Sequence, residues 1–254
     1  MSKMKNISYD VVVCGAGIVG MAAALQLAKN QFNVAILAPK IHPKHSLGEQ
    51  YHPRIYAISL ASQQFLEHLG IWSMMPNERR NPVRQMEVHG DLDGMIVLDA
   101  KQSQMLELAY IVESGEIENA LFNALKVYGV PWIEDTFKSY DQWHGSIECG
   151  SGQIIKTQLL IGADGANSTV RQACGIRHER KAYGDSGLVA QLTVDKPHLD
   201  AAIQWFGDFG VLAFLPLPDT ADGHQVSMVW SAPQYIADKY QAMDSDELAK
   251  RLPN

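Results

Sequence analysis

A glycine-rich turn near the amino terminus constrains the fold of this chain more than any other feature. Residues Tyr9 to Cys14 form a short β-branched run, and the turn Gly15-x-Gly17-x-x-Gly20 follows it directly. Apolar residues then return at helical spacing, and Asn33 to Leu37 resume a strand pattern. This order predicts a βαβ unit in which the glycine turn connects the first strand to the helix.

Each glycine of this turn has a separate role in a dinucleotide-binding unit. Gly15 permits the tight turn, Gly17 lets the backbone approach a pyrophosphate, and Gly20 lets the helix pack closely on the sheet. The N–H groups and the dipole at the start of the helix favour the negative charge. We therefore prefer nucleotide binding over a merely structural glycine turn. The predicted pyrophosphate-binding residues are Gly15, Ala16, Gly17, Ile18 and Gly20.

One acid of the dinucleotide-binding fingerprint is absent. An acidic residue is expected about 20 residues after the glycines, where it binds the ribose hydroxyls. The sequence at the end of the second strand is instead Leu37-Ala38-Pro39-Lys40, and the side chain of Ala38 cannot accept a hydrogen bond. Either the adenosine half is bound less tightly, or a backbone group or Lys40 substitutes for the acid.

A second motif, Asp164-Gly165-x-x-Ser168-x-x-Arg171, lies between a predicted strand and a short predicted helix. Taken alone, it also fits a plain turn in which Ser168 caps the helix and Arg171 is solvated. Together the two motifs resemble the class A flavin-dependent aromatic hydroxylases, whose prototype hydroxylates 4-hydroxybenzoate. The resemblance implies that Asp164, Gly165 and Arg171 serve both FAD and the reduced nicotinamide cofactor.

A third match identifies the branch of that family that hydroxylates polyprenylated phenols in ubiquinone biosynthesis. It consists of Arg54-x-Tyr56-Ala57-Ile58-Ser59 followed by Phe65-Leu66-x-x-Leu69-Gly70-Ile71-Trp72. The resemblance extends over nearly the whole chain through Tyr110 to Glu113, Gly210 to Leu217 and Val229 to Ser231. It implies that Arg54 contacts the flavin pyrophosphate, for which a guanidinium fork is well suited. It further implies ring hydroxylation of a polyprenyl phenol or quinol with FAD, NADH or NADPH, and O2.

Full members of this family carry a further motif, Gly-Asp-Ala-Ala-His followed by Pro and Gly-x-Gly, which grips the flavin ring. Nothing after Trp230 matches it. We therefore expect a shortened chain that is inactive alone, and no catalytic acid or base is assigned. Two alternatives stay open, a non-catalytic accessory protein of a biosynthetic complex and a hydroxylase of a small aromatic acid.

The predicted fold is α/β and similar to that of the 4-hydroxybenzoate hydroxylases. A βαβ, Rossmann-like FAD-binding domain is expected from residues 1–70 and 106–175, and an incomplete, antiparallel β-rich substrate domain from 71–105 and 176–254. Helices are predicted at Ser59 to Leu69, with an apolar stripe of Leu60, Phe65, Leu66 and Leu69, and at Glu113 to Tyr128, and a short helix is predicted from Asn167-Ser168 to Gly175. A hairpin is predicted at Gln85 to Leu98, and an antiparallel sheet after Gly187. A helical stretch in two pieces, with Ser245 capping the second, is predicted at Gln234 to Leu252.

Charge and cysteine content exclude several other classes of function. The net charge is −7 and the acidic residues are spread along the chain, so nucleic acid is not expected as a partner. No apolar run is long enough to span a membrane. We expect a cytoplasmic protein with at most peripheral contact with the inner face of the membrane, where other ubiquinone-biosynthesis proteins are candidate partners.

No metal site is expected, because neither the cysteines nor the histidines have the spacing of a zinc ligand set. The three cysteines, Cys14, Cys149 and Cys174, are interpreted as small buried apolar residues. The clustered histidines His42, His45 and His52 lie in a loop rich in proline and lysine.

Overall fold

The computed structural model describes residues 7–39, 51–244 and 247. The strands, in chain order, are β1 (Ile7–Cys14), β2 (Val34–Ala38), β3 (Ile55–Ser59), β4 (Arg80–Val83), β5 (Gln85–His89), β6 (Met95–Asp99), β7 (Ala109–Glu113), β8 (Trp132–Glu134), β9 (Phe137–Asp141), β10 (Ser146–Cys149), β11 (Ile154–Gly162), β12 (Asp185–Val194), β13 (Ala201–Gly207), β14 (Gly210–Thr220) and β15 (Gly223–Pro233). The α-helices are α1 (Ile18–Lys29), α2 (Leu60–Leu69), α3 (Ser114–Val127), α4 (Thr169–Ala173) and α5 (Gln234–Gln241). Two short 3-10 helices cover Trp72–Met74 and Asn77–Arg79.

The chain forms two compact units. The first unit comprises Met1–His45, Phe65–Met75 and Ser114–Glu179. The second comprises Ser46–Gln64, Pro76–Glu113 and Arg180–Asn254. Residues 51–64 and 106–113 therefore belong to the second unit, where β3 pairs with β7 and β7 pairs with β4, whereas the predicted FAD-binding domain included both segments. The functional assignment of the two predicted domains stays a prediction.

The first unit contains a sheet in the order β8-β2-β1-β11-β10-β9. The pairs β8 with β2, β2 with β1, and β1 with β11 are parallel, whereas β10 and β9 continue the sheet in antiparallel pairs. All five residues of β2 are buried, as is typical of a strand covered on both faces. The predicted βαβ unit, β1-α1-β2, is confirmed.

The helices of the first unit follow the sequence pattern closely. In α3, Ile117, Leu121 and Leu125 recur every four residues, and all three are buried. The short helix α4 begins after Ser168, and Gly175 follows it with a φ of 66°. Because residues rarely adopt positive φ unless they are glycine, Gly175 ends the helix as predicted.

The second unit contains a six-stranded sheet in the order β12-β15-β14-β13-β5-β6. The predicted hairpin is the antiparallel pair β5 and β6, and the predicted antiparallel sheet downstream of Gly187 is confirmed. One pairing was not predicted: β5 joins β13 in parallel. A second sheet has the order β3-β7-β4. The α/β fold predicted from the sequence is thus confirmed.

Aromatic residues in this sheet contribute to its core. Leu212, Met228, Trp230 and Ala232 form a buried cluster, against which Trp205 and Phe214 pack. The rings of Trp205 and Phe214 meet edge to face, with their centroids 5.3 Å apart. Phe206 and Phe209 are instead exposed. Trp205 and Phe214 are therefore part of the core of the sheet, whereas Phe206 and Phe209 are not.

Two local predictions were wrong. Phe65 was placed on the apolar stripe of α2, but it is exposed, whereas Leu66 and Leu69 are buried. Cys174 was interpreted as buried and is also exposed, because α4 has only five residues and covers little surface. The predictions that involve Lys40, His42, His45 and Ser245 fall outside the described residues. Where the chain is described, none of its helices is both long and apolar enough to cross a membrane.

Candidate functional site

The glycine turn lies between the carboxyl ends of β2 and β11. The N–H of Gly15 donates to the carbonyl oxygen of Leu37 at 3.0 Å, and the N–H of Ala163 donates to that of Cys14 at 2.7 Å. Gly15 has a φ of +111°, and a Cβ there would stand 2.2 Å from the oxygen of Ala163. Only glycine fits, because both the dihedral angle and the close approach exclude a side chain.

Gly17 and Gly20 meet different surroundings, as the fingerprint predicts. A Cβ on Gly20 would lie 2.1 Å from the oxygen of Gly15, so this glycine allows close packing within the turn. A Cβ on Gly17 would have no described heavy atom within 4 Å. Gly17 is the N-cap of the 12-residue helix α1 and is exposed. Open space thus lies over the first N–H groups of the helix, and these residues fit a pyrophosphate.

The second motif lies beside the first because β1 and β11 are parallel neighbours. Cys14 pairs with Gly162, so both strands end at the same edge of the sheet. The two motifs, which are far apart in the sequence, are thus adjacent in the first unit. Carboxyl edges of parallel strands are the usual ligand site in such folds.

The carboxylate of Asp164 is bound to the start of α4. Its Oδ2 accepts hydrogen bonds from the N–H groups of Thr169 at 2.6 Å and Val170 at 3.1 Å, and Oδ1 accepts from the hydroxyl of Ser168. Burial raises the pKa of Asp164, but the bonds from Ser168, Val170 and Thr169 outweigh it, so the pKa lies below its ordinary value. Asp164 is therefore ionised and fixed in orientation.

Arg171 closes the loop that follows Asp164. Its Nη2 donates to the carbonyl oxygen of Ala166 at 2.8 Å and lies 3.3 Å from Nε2 of His178. Its backbone N–H donates to the hydroxyl of Ser168, which confirms Ser168 as the helix cap. The guanidinium of Arg171 thus contacts the loop as well as solvent. Its role, and that of Gly165 (φ +86°), in binding a cofactor stays a prediction.

Cys14 and Cys149 are buried in the first unit, as predicted. Burial, with smaller contributions from Asp164 and Cys149, raises the pKa of the Cys14 thiol to about 12. Burial and the charge of Asp135 raise that of Cys149 to about 11. Both thiols are therefore protonated at neutral pH and are not nucleophiles.

Arg54 belongs to the second unit and is exposed. Its guanidinium carbon lies 5.6 Å from the ring centroid of Tyr56, and its backbone N–H donates to Nδ1 of His52 at 3.2 Å. Its predicted contact with the flavin pyrophosphate stays a prediction.

The segment before Arg54 is held by a group that sequence reasoning missed. We call it the Arg79–Glu113 cluster, formed by Tyr51, His52, Arg79 and Glu113. Nε of Arg79 lies 3.3 Å from Oε1 of Glu113, and the other carboxylate oxygen accepts from the N–H of His52 at 2.5 Å. The guanidinium of Arg79 stacks over the ring of Tyr51 at 4.9 Å. In the sequence, the only indication of a role for Glu113 is that it ends the family match Tyr110 to Glu113.

The capping role of Asp164 leads to a prediction about acid stability. Asp164→Ala should lower the free energy of unfolding by about 1 to 2 kcal/mol near neutral pH, the usual range for loss of a helix cap. Because the folded-state pKa lies below 3.8, this stabilisation is present above that pH and is lost as the pH falls through the folded-state pKa. Urea unfolding followed by circular dichroism, at about pH 7 and about pH 2.5, measures it. A difference between variant and wild type that does not shrink in acid would contradict this account.

Parallel strands that end at one edge of a sheet, with a glycine turn leading from β1 into α1 at that edge, are typical of a dinucleotide-binding domain. Residues 8–254 match the sequence model of a family described as FAD binding domain. The chain belongs to this family, and its cofactor is FAD.

Curated relatives and solved structures agree with this membership. The chain is 31% identical over 260 residues to 3-demethoxyubiquinol 3-hydroxylase of Escherichia coli (strain K12), covering 99% of this chain and 65% of that protein. It is 33% identical over 258 residues to the human ubiquinone biosynthesis monooxygenase COQ6, mitochondrial, covering 94% of this chain and 54% of that protein. The chain thus spans between about half and two thirds of these relatives.

Similarity to solved structures concerns the fold. PqsL, a probable FAD-dependent monooxygenase from Pseudomonas aeruginosa, superposes with a TM-score of 0.78 at 17% identity, covering 96% of this chain and 66% of that one. The p-nitrophenol 4-monooxygenase PnpA from Pseudomonas putida DLL-E4 superposes with a TM-score of 0.72 at 17% identity, covering 98% and 62%. The predicted class of fold is therefore confirmed.

Proposed function

We propose that this chain carries the dinucleotide-binding part of an FAD-dependent monooxygenase that hydroxylates the ring of a polyprenyl phenol or quinol in ubiquinone biosynthesis. NADH or NADPH supplies the electrons and O2 supplies the oxygen atom. FAD, when bound, provides the oxygen-activating chemistry, and the protein binds and orients it. The observation that carries the proposal is the open, N–H-lined space over Gly17 at the carboxyl edge shared by β1 and β11.

The residues of the first unit have distinct roles in this proposal. The turn from Gly15 to Gly20 holds the pyrophosphate with backbone N–H groups and the dipole of α1. Asp164 is already bound to α4, so its part is to fix the loop of Gly165 beside the glycine turn. Arg171 keeps that loop closed through Ala166. From the family resemblance, Arg54 is the arginine proposed to contact the pyrophosphate.

The substrate class rests on the names of the relatives. The Escherichia coli relative is a 3-demethoxyubiquinol 3-hydroxylase, and COQ6 proteins of several animals are ubiquinone biosynthesis monooxygenases. Because such a substrate carries a lipid tail, we place the reaction at a membrane surface, with peripheral contact by the protein. Other proteins of the same pathway are its proposed partners.

The experiment uses the gene that encodes this chain, at its natural length, in Escherichia coli strains that each lack one ring hydroxylation of ubiquinone biosynthesis. We expect restored ubiquinone in one strain, measured by mass spectrometry of extracted quinones. The strain that recovers identifies the ring position. The same gene with Gly17→Asp is the matched control and should restore none.

Two results would contradict the proposal. One is failure in every strain although the protein accumulates in folded form with FAD bound. The other is oxidation of reduced nicotinamide that depends on a small aromatic acid and not on a prenylated phenol, since this would assign the site to a different substrate class.

A further inference from the structure

We propose that Glu134 supplies the carboxylate that binds the ribose hydroxyls of the adenosine half of FAD, in place of the acid missing at position 38. The proposal rests on the proposed function, because it concerns the same FAD site. It answers the question that the sequence left open, namely which group substitutes for the absent acid.

The register of the sheet places Glu134 beside the missing acid. Strand β8 is the parallel neighbour of β2, and Ala38 pairs with Glu134. Both residues are the last of their strands, so both lie at the carboxyl edge. Since paired residues of neighbouring strands point to the same face, the two side chains start about 4.8 Å apart and in the same direction. The carboxylate that is missing at the end of β2 is thus present at the end of the neighbouring strand β8.

The carboxylate of Glu134 is available to a ligand. The residue is exposed, and among the described residues its side chain makes no hydrogen bond or ion pair. The next residue, Asp135, is different: its carboxylate accepts from the N–H of Thr136 at 2.7 Å and from Ser151. Of these two neighbouring acids, Glu134 pairs with Ala38, and its carboxylate accepts no hydrogen bond from the described residues.

Glu134 also lies along the direction that the adenosine must take. The glycine turn is joined to the end of β2 by the bond from Gly15 to Leu37. From the turn, the carboxyl edge passes first β2 and then β8, two strand spacings or roughly 10 Å in all. An adenosine that leaves the pyrophosphate along this edge passes over Ala38 and reaches Glu134.

The chemistry of the group suits a ribose. An ionised carboxylate offers two acceptor oxygens, and the ribose 2′ and 3′ hydroxyls are two adjacent donors. Hydrogen bonds to a charged acceptor are stronger than those between neutral groups. Glutamine at this position keeps the length of the side chain but loses the charge and one acceptor, so Glu134→Gln isolates the proposed interaction.

The test measures binding of FAD, ADP and 2′-deoxy-ADP to the purified chain by calorimetry. We expect Glu134→Gln to lower the affinity for FAD and for ADP by about tenfold. The wild type should prefer ADP to 2′-deoxy-ADP, and the variant should lose most of that preference. Glu67→Gln is the matched control, because it removes an exposed carboxylate of the same unit from α2, and its affinities should equal those of the wild type.

The outcomes separate this inference from the proposed function. Equal affinities of wild type and Glu134→Gln for ADP would overturn the inference alone. The inference would also be overturned if Glu134→Gln lost the same fraction of its affinity for ADP and for 2′-deoxy-ADP, since the carboxylate would then not contact the 2′ hydroxyl. Absence of FAD and ADP binding by the folded wild type would instead overturn the proposed FAD site, and this inference with it.

Discussion

Gly17→Asp is expected to weaken binding of FAD and ADP by at least about a hundredfold while leaving the fold intact. The new carboxylate enters the open space over α1, where no described heavy atom lies within 4 Å of the added Cβ. A negative charge there faces the pyrophosphate, and a juxtaposition of like charges costs several kcal/mol in binding. The φ of −74° at Gly17 is accessible to any residue, so no backbone strain accompanies the change.

The same substitution should not destabilise the protein. Gly17 is the N-cap of α1, and aspartate is among the best N-cap residues. Loss of binding would therefore occur with an equal or higher midpoint of thermal unfolding. Gly17→Asn is the matched control, since it has the same shape without the charge and should retain more affinity than the aspartate variant. If Gly17→Asp bound ADP as tightly as the wild type, the pyrophosphate would not lie on this turn.

The second large effect concerns the Arg79–Glu113 cluster. Removing either charge, by Arg79→Met or Glu113→Gln, should lower the free energy of unfolding by about 3 to 5 kcal/mol, because the change breaks a buried ion pair while the other charge stays out of water. The side chains of Arg79 and Glu113 are only 9% and 3% exposed. Loss of Glu113 also removes the acceptor for the N–H of His52.

Urea unfolding measures these losses of stability, and a variant in a surface ion pair of the same unit provides the comparison. Arg84 and Asp200 form an ion pair of 2.8 Å in which the arginine side chain is 58% exposed. Arg84→Met should therefore cost at most about 1 kcal/mol. The double variant of Arg79 and Glu113 should cost less than the sum of the two single changes, since it removes both charges of the buried pair together. Equal costs for Arg79→Met and Arg84→Met would show that burial of the pair has no energetic consequence.

The sequence by itself determined the local elements of this protein. The β1-α1-β2 unit, α3, the β5 and β6 hairpin, the tight turn at Gly15 and the close packing at Gly20 were all predicted, because hydrophobic periodicity and backbone freedom depend on a few neighbouring residues. Gly15 and Gly20 are crowded and Gly17 is open, as the spacing of the motif requires. The family resemblance added FAD as the cofactor.

Only the tertiary structure decided which segments are neighbours. The parallel pairing of β1 with β11, of β5 with β13 and of β2 with β8 joins residues far apart in the chain, and strand order has no signature in hydrophobic period. The pairing of Ala38 with Glu134 follows from that order, so no search along β2 alone would find it. The Arg79–Glu113 cluster also depends on tertiary structure. Neither charge is distinctive in its own segment of the sequence, and only the fold buries the two side chains beside each other.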